Sequence, residues 1–122
     1  FNFKMALKSA ELFEKMKPLL EKQGGDIVKK IGASYLFELR ATKDSEPQYF
    51  TVDLKSGNGS IKVGKDGNVD TTFIMLDADF MALADGKLNP QSAFMTGKMK
   101  IKGNMAKAMK FTPDILPKDA KL

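Results

Sequence analysis

Cysteine and histidine are both absent from this 122-residue chain. Without cysteine, disulfides and thiolate chemistry are excluded, and a reducing, intracellular compartment is favoured. Without histidine, the chain lacks the commonest general base and the commonest metal ligand. No apolar run approaches the ~18 residues that span a membrane, and no signal-peptide pattern is visible. The length fits one domain, residues 1–122, with one core.

Arginine is almost absent. The net charge of +5 comes from nineteen lysines and the single Arg40 against fifteen acidic residues. Nucleic-acid sites usually use guanidinium groups and stacking aromatics, so we expect no nucleic-acid partner. The lysines fit a solvated surface. Two alternatives stay open, namely attraction to anionic membrane surfaces or to a phosphate-bearing ligand.

Apolar spacing predicts two helices at the start of the chain. The first is capped by Ser9 and runs to about Gln23, and Gly24–Gly25 ends it. Asp26 then caps a short helix through Ile31. Four stretches of alternating apolar and polar residues follow, and they predict four strands between Ala33 and Leu76.

The second half predicts three further helices and one strand. Asp77 or Asp79 caps a helix that contains Phe80 and Met81, and Asn89 caps another that begins at Pro90. A lysine-alternating strand carries Met99 and Ile101 inward, and Asn104 caps a last helix. The fold class is therefore α+β, a five-stranded, mostly antiparallel sheet with about five helices on one face.

No catalytic, metal or cofactor site is predicted. Asp66, Asn68 and Asp70 faintly resemble a calcium loop, but Thr71 stands at the required glycine, and the bidentate glutamate is missing. The pair Asp77 and Asp79 suits helix capping better than acid–base chemistry. Ser92 has no histidine to activate it. We expect a protein that is not an enzyme.

The eight methionines are the unusual feature, and Met95, Met99, Met105 and Met109 lie close together near the end. Methionine fills ordinary cores, but it is also flexible and polarizable, so a wall of methionines can repack around ligands of different shape. Composition alone leaves both interpretations open, ordinary core or lipid-accommodating wall.

Several motifs together resemble sterol carrier protein type 2 (SCP-2) domains, in the right order over the whole chain. They are Ile27-Val28-Lys29-Lys30-Ile31-Gly32, Phe80-Met81-Ala82-Leu83, Gly86-Lys87, Asn89-Pro90-Gln91-Ser92-Ala93-Phe94 and Gly97-Lys98-Met99-Lys100-Ile101-Lys102-Gly103-Asn104-Met105.

The resemblance implies a hydrophobic tunnel between the sheet and the helices, with no catalytic activity and no cofactor. It implies a monomeric carrier that binds fatty acids, acyl-CoA, sterols and phospholipids and promotes their transfer. The last helix is expected to act as a lid. The residues predicted by resemblance to form the tunnel wall are Phe80, Met81, Gln91, Phe94, Met99, Ile101, Met105 and Met109.

The resemblance also bears on location. The tail, residues 118–122, ends in Ala120, Lys121 and Leu122, a variant of the Ser-Lys-Leu peroxisomal signal. We expect an import receptor as partner and a peroxisomal location, with a cytoplasmic pool as a second possibility. Phe1 fits release from a thiolase-fused precursor or a cloning scar. The alternative function is a domain that presents substrate within a larger β-oxidation enzyme.

Overall fold

The computed structural model describes residues 8–65 and 68–111. Four helices and five strands lie in these ranges. In chain order they are α1 (Lys8–Ile31), β1 (Ala33–Arg40), β2 (Gln48–Leu54), β3 (Ser60–Val63), β4 (Thr71–Leu76), α2 (Asp77–Ala84), α3 (Pro90–Met95), β5 (Met99–Gly103) and α4 (Met105–Ala108).

The five strands form one mixed sheet in the order β3-β2-β1-β4-β5. Three neighbouring pairs are antiparallel, and β1 and β4 run parallel. The predicted α+β class and the mostly antiparallel five-stranded sheet are therefore confirmed. In this register Phe37 lies opposite both Phe50 and Phe73, so aromatic side chains line up across the middle of the sheet.

Helices pack on the face of the sheet that carries these aromatic residues. The ring of Phe13 from α1 stacks on Phe50 with centroids 4.6 Å apart, and Phe80 from α2 meets Phe37 edge-on at 5.3 Å. Phe111, just beyond α4, reaches Phe37 at 5.1 Å. These contacts place the beginning, middle and end of the described chain around one core.

The two helices predicted at the start of the chain are a single helix of 24 residues, so the described chain has four helices and not about five. Gly24 and Gly25 do not end α1, because Gly24 is buried where the helix passes the loop between β2 and β3. A Cβ placed on Gly24 would lie 1.8 Å from the carbonyl oxygen of Asn58. None of the described helices is long and apolar enough to cross a membrane.

We expect Gly24→Ala to destabilise the domain by about 1–3 kcal/mol, because the added methyl group overlaps backbone that cannot move without shifting the hairpin. Gly25→Ala is the matched control. Its Cβ would lie 3.4 Å from the Asn58 side chain, and alanine favours the helix by roughly 1 kcal/mol. Urea unfolding of both variants measures the difference. Equal stability of the two variants would contradict this account of the close contact.

The residue that caps α1 is Asp77, and this corrects two predictions. Ser9 lies inside the helix, and the Asp77 carboxylate accepts hydrogen bonds from the backbone N–H groups of Lys8 at 3.1 Å and Ser9 at 2.9 Å. Helix α2 begins at Asp77 itself, and Leu76 at its N-cap makes no side-chain capping bond. The carboxylate therefore serves a helix 68 residues away in sequence instead of its own.

Candidate functional site

A cavity of about 560 Å³ lies between the sheet and the short helices α3 and α4. Its volume is within the range of about 300–1,000 Å³ that is usual for small-molecule sites. The residues that line it are Phe37, Phe73, Met75, Phe80, Leu83, Asn89, Pro90, Gln91, Phe94, Met95, Met99, Ile101, Met105, Ala108, Met109 and Phe111.

Three phenylalanines make up what we call the aromatic floor, Phe37, Phe73 and Phe80. Their rings pack on one another, with centroids 5.2 Å apart for Phe37 and Phe73 and 5.3 Å for Phe37 and Phe80. All three are buried. Because packed rings have few alternative rotamers, this end of the cavity is rigid.

The solvent-exposed part of the lining, which we call the cavity mouth, consists of Phe94, Met95, Met105 and Met109. These side chains are 44%, 83%, 45% and 54% exposed, which is high for large apolar residues. Three of the four are methionines, so the mouth can change shape at little cost in packing energy. The cavity is therefore rigid inside and adaptable where it meets solvent.

Polar groups are few along the cavity. No charged residue belongs to its lining as the structure describes it, and the amides of Asn89 and Gln91 are its main polar side chains. The Asn89 Oδ1 is occupied, because it accepts from the backbone N–H groups of Gln91 at 2.8 Å and Ser92 at 3.3 Å and so caps α3. The Gln91 amide and the Nδ2 donors of Asn89 are thus the side-chain groups of the described lining that are available to bind a ligand's polar end.

Seven of the eight side chains predicted for the tunnel wall line this cavity; the exception is Met81. Met81 lies on α2 beside Phe80, half-buried against the core. The prediction missed nine lining residues. Strand alternation already marked Phe37, Phe73 and Met75 as inward-facing, whereas Phe111 follows α4 without any periodic signal. The other missed residues are Leu83, Asn89, Pro90, Met95 and Ala108.

Helix α4 is fastened to the sheet by polar contacts near both of its ends. The Tyr35 hydroxyl donates to the Lys107 carbonyl at 2.6 Å, and Thr71 Oγ1 donates to the Asn104 carbonyl at 2.8 Å. Burial, with the nearby charge of Asp70, raises the pKa of the Tyr35 hydroxyl well above its ordinary value. The raised pKa favours the protonated hydroxyl, which is the form that donates this bond.

Asp70 is the acidic residue that lies among the contacts between α4 and the sheet. Its carboxylate accepts from the backbone N–H of Ser34 at 3.0 Å and lies 3.4 Å from the Lys55 ammonium and 3.9 Å from the Lys107 ammonium. The hydrogen bond from Ser34 and the two lysines hold the pKa of this carboxyl below its ordinary value of 3.8, although partial burial opposes them.

A pH dependence follows from Asp70. Because its pKa is lower in the folded chain, the ionised carboxylate stabilises the fold above about pH 4, and this contribution is lost as the pH falls through the folded value. We expect Asp70→Asn to be less stable than the parent at pH 7 and the gap to narrow at pH 3. Urea unfolding at both values measures it, with Asp44→Asn, an exposed turn residue, as control. A gap that widens in acid would contradict the assignment.

Comparison with known protein families matches residues 13–115 to the SCP-2 sterol transfer family. The chain belongs to this family. A relative from Arabidopsis thaliana named sterol carrier protein 2 is 43% identical over 118 residues, and the match covers 95% of this chain and 96% of that protein. The predicted family is thus confirmed, and with it the coarse function, an SCP-2 lipid-binding domain.

A solved structure agrees with this SCP-2 domain in fold. The solution structure of sterol carrier protein-2 from Aedes aegypti, in complex with the C16 fatty acid palmitate, superposes with a TM-score of 0.69 at 26% identity. The match covers 91% of this chain and 96% of that one.

Other relatives are much longer than this chain. Human sterol carrier protein 2 is 42% identical over 112 residues, which are 91% of this chain but 20% of the human protein. The peroxisomal multifunctional enzyme A of Dictyostelium discoideum is 39% identical over 103 residues, 23% of its own length. The chain thus spans about a fifth of these relatives. Asp66 of the calcium-like loop and the tail with Ala120, Lys121 and Leu122 lie outside the described residues.

Proposed function

We propose that this SCP-2 domain carries single lipid molecules, holding the apolar part in the cavity and promoting its transfer between membranes. The observation that carries the proposal is a cavity of about 560 Å³ with an aromatic floor and no charged residue among the described side chains that line it. Such a site gains free energy from apolar surface and little from charge. The domain itself performs no catalysis in this proposal.

The energetics suit a carrier. Burying a sixteen-carbon chain is worth roughly 0.8 kcal/mol for each methylene, or about 12 kcal/mol gross. Association and ordering cost on the order of 4–15 kcal/mol, so the net affinity is moderate and release is possible. A tighter site would hold the lipid and fail to deliver it.

The proposed ligands are fatty acids, fatty acyl-CoA, sterols and phospholipids. The palmitate complex of the Aedes relative supports the first class. The methionines of the cavity mouth favour breadth, since their flexible side chains accept ligands of different cross-section. We propose Gln91 as the group that hydrogen-bonds the ligand's head, and Phe80, Phe94, Met99, Ile101, Met105 and Met109 as wall.

Uptake of a fluorescent fatty acid tests the proposal. We expect saturable binding of one probe molecule per chain. Palmitate, palmitoyl-CoA, cholesterol and a phospholipid should each displace the probe, each with its own half-maximal concentration. A second assay follows a fluorescent lipid from donor to acceptor vesicles, and the domain should speed this transfer. If no lipid of the four classes displaces the probe and transfer is not accelerated, the proposed function is wrong.

The alternative, a domain that presents substrate within a larger enzyme, is not favoured. The Arabidopsis relative is matched over 96% of its length and is named as a sterol carrier, whereas the multifunctional enzyme is matched over 23%. Adding the domain to a separate β-oxidation enzyme distinguishes the two. The carrier hypothesis predicts no change in acyl-CoA turnover at saturating substrate.

We also propose a peroxisomal location, with import through the receptor that binds Ser-Lys-Leu-like ends and with a cytoplasmic pool. The name of the Dictyostelium relative supports it, as does the sequence Ala120-Lys121-Leu122. A fluorescent protein fused ahead of this chain should reach peroxisomes, and removal of the three residues should leave it in the cytoplasm. Equal import of both fusions would contradict the role of these residues.

A further inference from the structure

Methionine supplies all the sulfur in this chain. The sequence has eight methionines and no cysteine, and histidine and tryptophan are absent as well. A thioether is therefore the side-chain group that a mild oxidant attacks first. Oxidation converts a flexible apolar side chain into a polar, chiral sulfoxide. The positions of the methionines thus decide what an oxidant does to the domain.

The fold sorts the described methionines by exposure. The exposed ones, which we call the mouth methionines, are Met95, Met105 and Met109. The buried or half-buried ones are Met16, Met75, Met81 and Met99. Because a small oxidant in solution reaches exposed side chains first, oxidation should begin at the cavity mouth and spare the core.

The mouth methionines are also part of the surface that a ligand in the cavity contacts. Met105 and Met109 lie one turn apart at the two ends of α4, where the Met109 backbone N–H donates to the Met105 carbonyl at 3.1 Å. Both side chains line the cavity, as does that of Met95 at the end of α3. The same three thioethers are therefore open to solvent and in place to contact an acyl chain.

A sulfoxide at the mouth has no partner there. The four side chains of the cavity mouth are phenylalanine and methionine, which carry no hydrogen-bond donor. In the empty domain, water hydrates the sulfoxide oxygen. When an acyl chain covers the mouth, this water is removed and no donor of the mouth replaces it, so binding becomes less favourable.

We propose that the mouth methionines are an oxidation site that lowers the affinity of the domain for lipid. Hydrogen peroxide transfers one oxygen atom to Sδ. The O–O bond breaks, the S–O bond forms and water leaves, so that the sulfur loses two electrons and the peroxide gains them. Methionine sulfoxide reductases reverse the change. The inference rests on the proposed function, because it assigns a regulation to the same cavity.

The fold itself should survive this oxidation. Exposed side chains contribute little to the core, whereas a sulfoxide at the fully buried Met16 would disrupt the packing of α1 on the sheet. Oxidation at the mouth therefore changes the binding surface and leaves the aromatic floor in place. A bound ligand should also protect the mouth, because it covers the sulfurs that line the cavity.

The test oxidises the domain and measures palmitate binding. The parent is treated with dilute hydrogen peroxide, catalase removes the excess, and peptide mass spectrometry gives the fraction of sulfoxide at each methionine. Displacement of a fluorescent fatty acid by palmitate gives the affinity before and after treatment. Two variants are treated alike. One combines Met95→Leu, Met105→Leu and Met109→Leu, which removes the sulfurs of the mouth, and the control is Met81→Leu, which keeps them.

In the parent, sulfoxide should form at the mouth methionines before it forms at Met16 or Met81. The affinity for palmitate should then fall by about tenfold to 100-fold, and Met81→Leu should lose as much. The triple leucine variant, compared with its own untreated form, should change by less than about threefold. Methionine sulfoxide reductases should restore the affinity of the oxidised parent. Palmitate added before the peroxide should slow oxidation of Met105 and Met109 more than that of Met81.

Three results would overturn the proposal. One is an unchanged affinity once the mouth methionines are fully converted to sulfoxide. Another is oxidation of Met16 or Met81 ahead of the mouth. The third is an equal loss of affinity in the triple leucine variant and the parent, because the sensitive group would then lie elsewhere. The untreated parent is measured first, and absence of palmitate binding there contradicts the proposed function, and this inference with it.

Discussion

Replacing Met105 and Met109 together by aspartate is expected to weaken palmitate binding at least about 100-fold. Both side chains line the cavity mouth, and two carboxylates there remove apolar contact with about four methylenes, worth roughly 3 kcal/mol. The charges would also repel the carboxylate of the fatty acid. Because the two methionines are about half exposed, the fold should survive, and displacement of a fluorescent fatty acid measures the loss.

Two controls separate contact from charge. Met105→Leu with Met109→Leu keeps apolar volume and should bind palmitate within a few-fold of the parent. Val63→Asp adds a carboxylate at another exposed apolar position, on the opposite edge strand β3, and should leave binding unchanged. If the double aspartate variant folds normally and binds palmitate as the parent does, Met105 and Met109 are not part of the wall.

Removal of the Asp77 carboxylate is expected to give the largest loss of stability among the substitutions of polar residues. Asp77→Ala leaves the backbone N–H groups of Lys8 and Ser9 without their acceptor, in a position where Asp77 is only 8% exposed. A lost cap costs up to about 2 kcal/mol, and the negative charge also stabilises the start of the helix. We expect a loss of about 2 kcal/mol in the free energy of unfolding.

Asp79→Ala is the matched control, because Asp79 lies in the same first turn of α2 and makes no capping bond to α1 within the described structure. It should cost well under 1 kcal/mol. Urea unfolding with far-UV circular dichroism measures both. If the two alanine variants lose the same stability, the effect belongs to α2 and the cap on α1 is not significant.

Local signals in the sequence predicted the parts of the fold that depend on neighbouring residues. Asn89 caps α3, Pro90 stands at its first position, and the Asn104 side chain accepts from the Lys107 backbone N–H at 3.0 Å, as the capping rules predict. Alternation likewise gave the inward faces of the strands, so the lining residues on the strands could be predicted from residue type and spacing. The helical wall residues were predicted from the family resemblance, and nine of the sixteen lining residues were missed.

Contacts between distant residues could not be predicted in this way. Neighbouring residues alone predict a helix end at Gly24. Only the close approach of Asn58 shows why the helix needs glycine there. Neighbouring residues predict Asp77 as a cap for α2, yet the backbone N–H groups that it binds lie 68 and 69 residues earlier in the chain. Periodicity also predicts an inward-facing position for both Met81 and Met99. Only the packing shows that Met81 lies against the core and that Met99 lines the cavity.

The distinction between the aromatic floor and the cavity mouth likewise depends on tertiary structure. The sequence shows methionines and phenylalanines mixed along the chain, whereas folding gathers Phe37, Phe73 and Phe80 at one end of the cavity. A rigid floor limits how deep a ligand reaches, and a flexible mouth tolerates different ligand widths. We therefore expect selection by the length of the apolar part more than by its cross-section.

The central claim is that the acyl chain occupies this cavity, and methionine methyl NMR tests it most directly. With ¹³C-methyl methionine, the account predicts that palmitate shifts the signals of the five methionines that line the cavity and leaves those of Met16 and Met81 in place. The five are Met75, Met95, Met99, Met105 and Met109. Saturable palmitate binding that shifts Met16 and Met81 as much as these five, or that shifts none of the five, would contradict it.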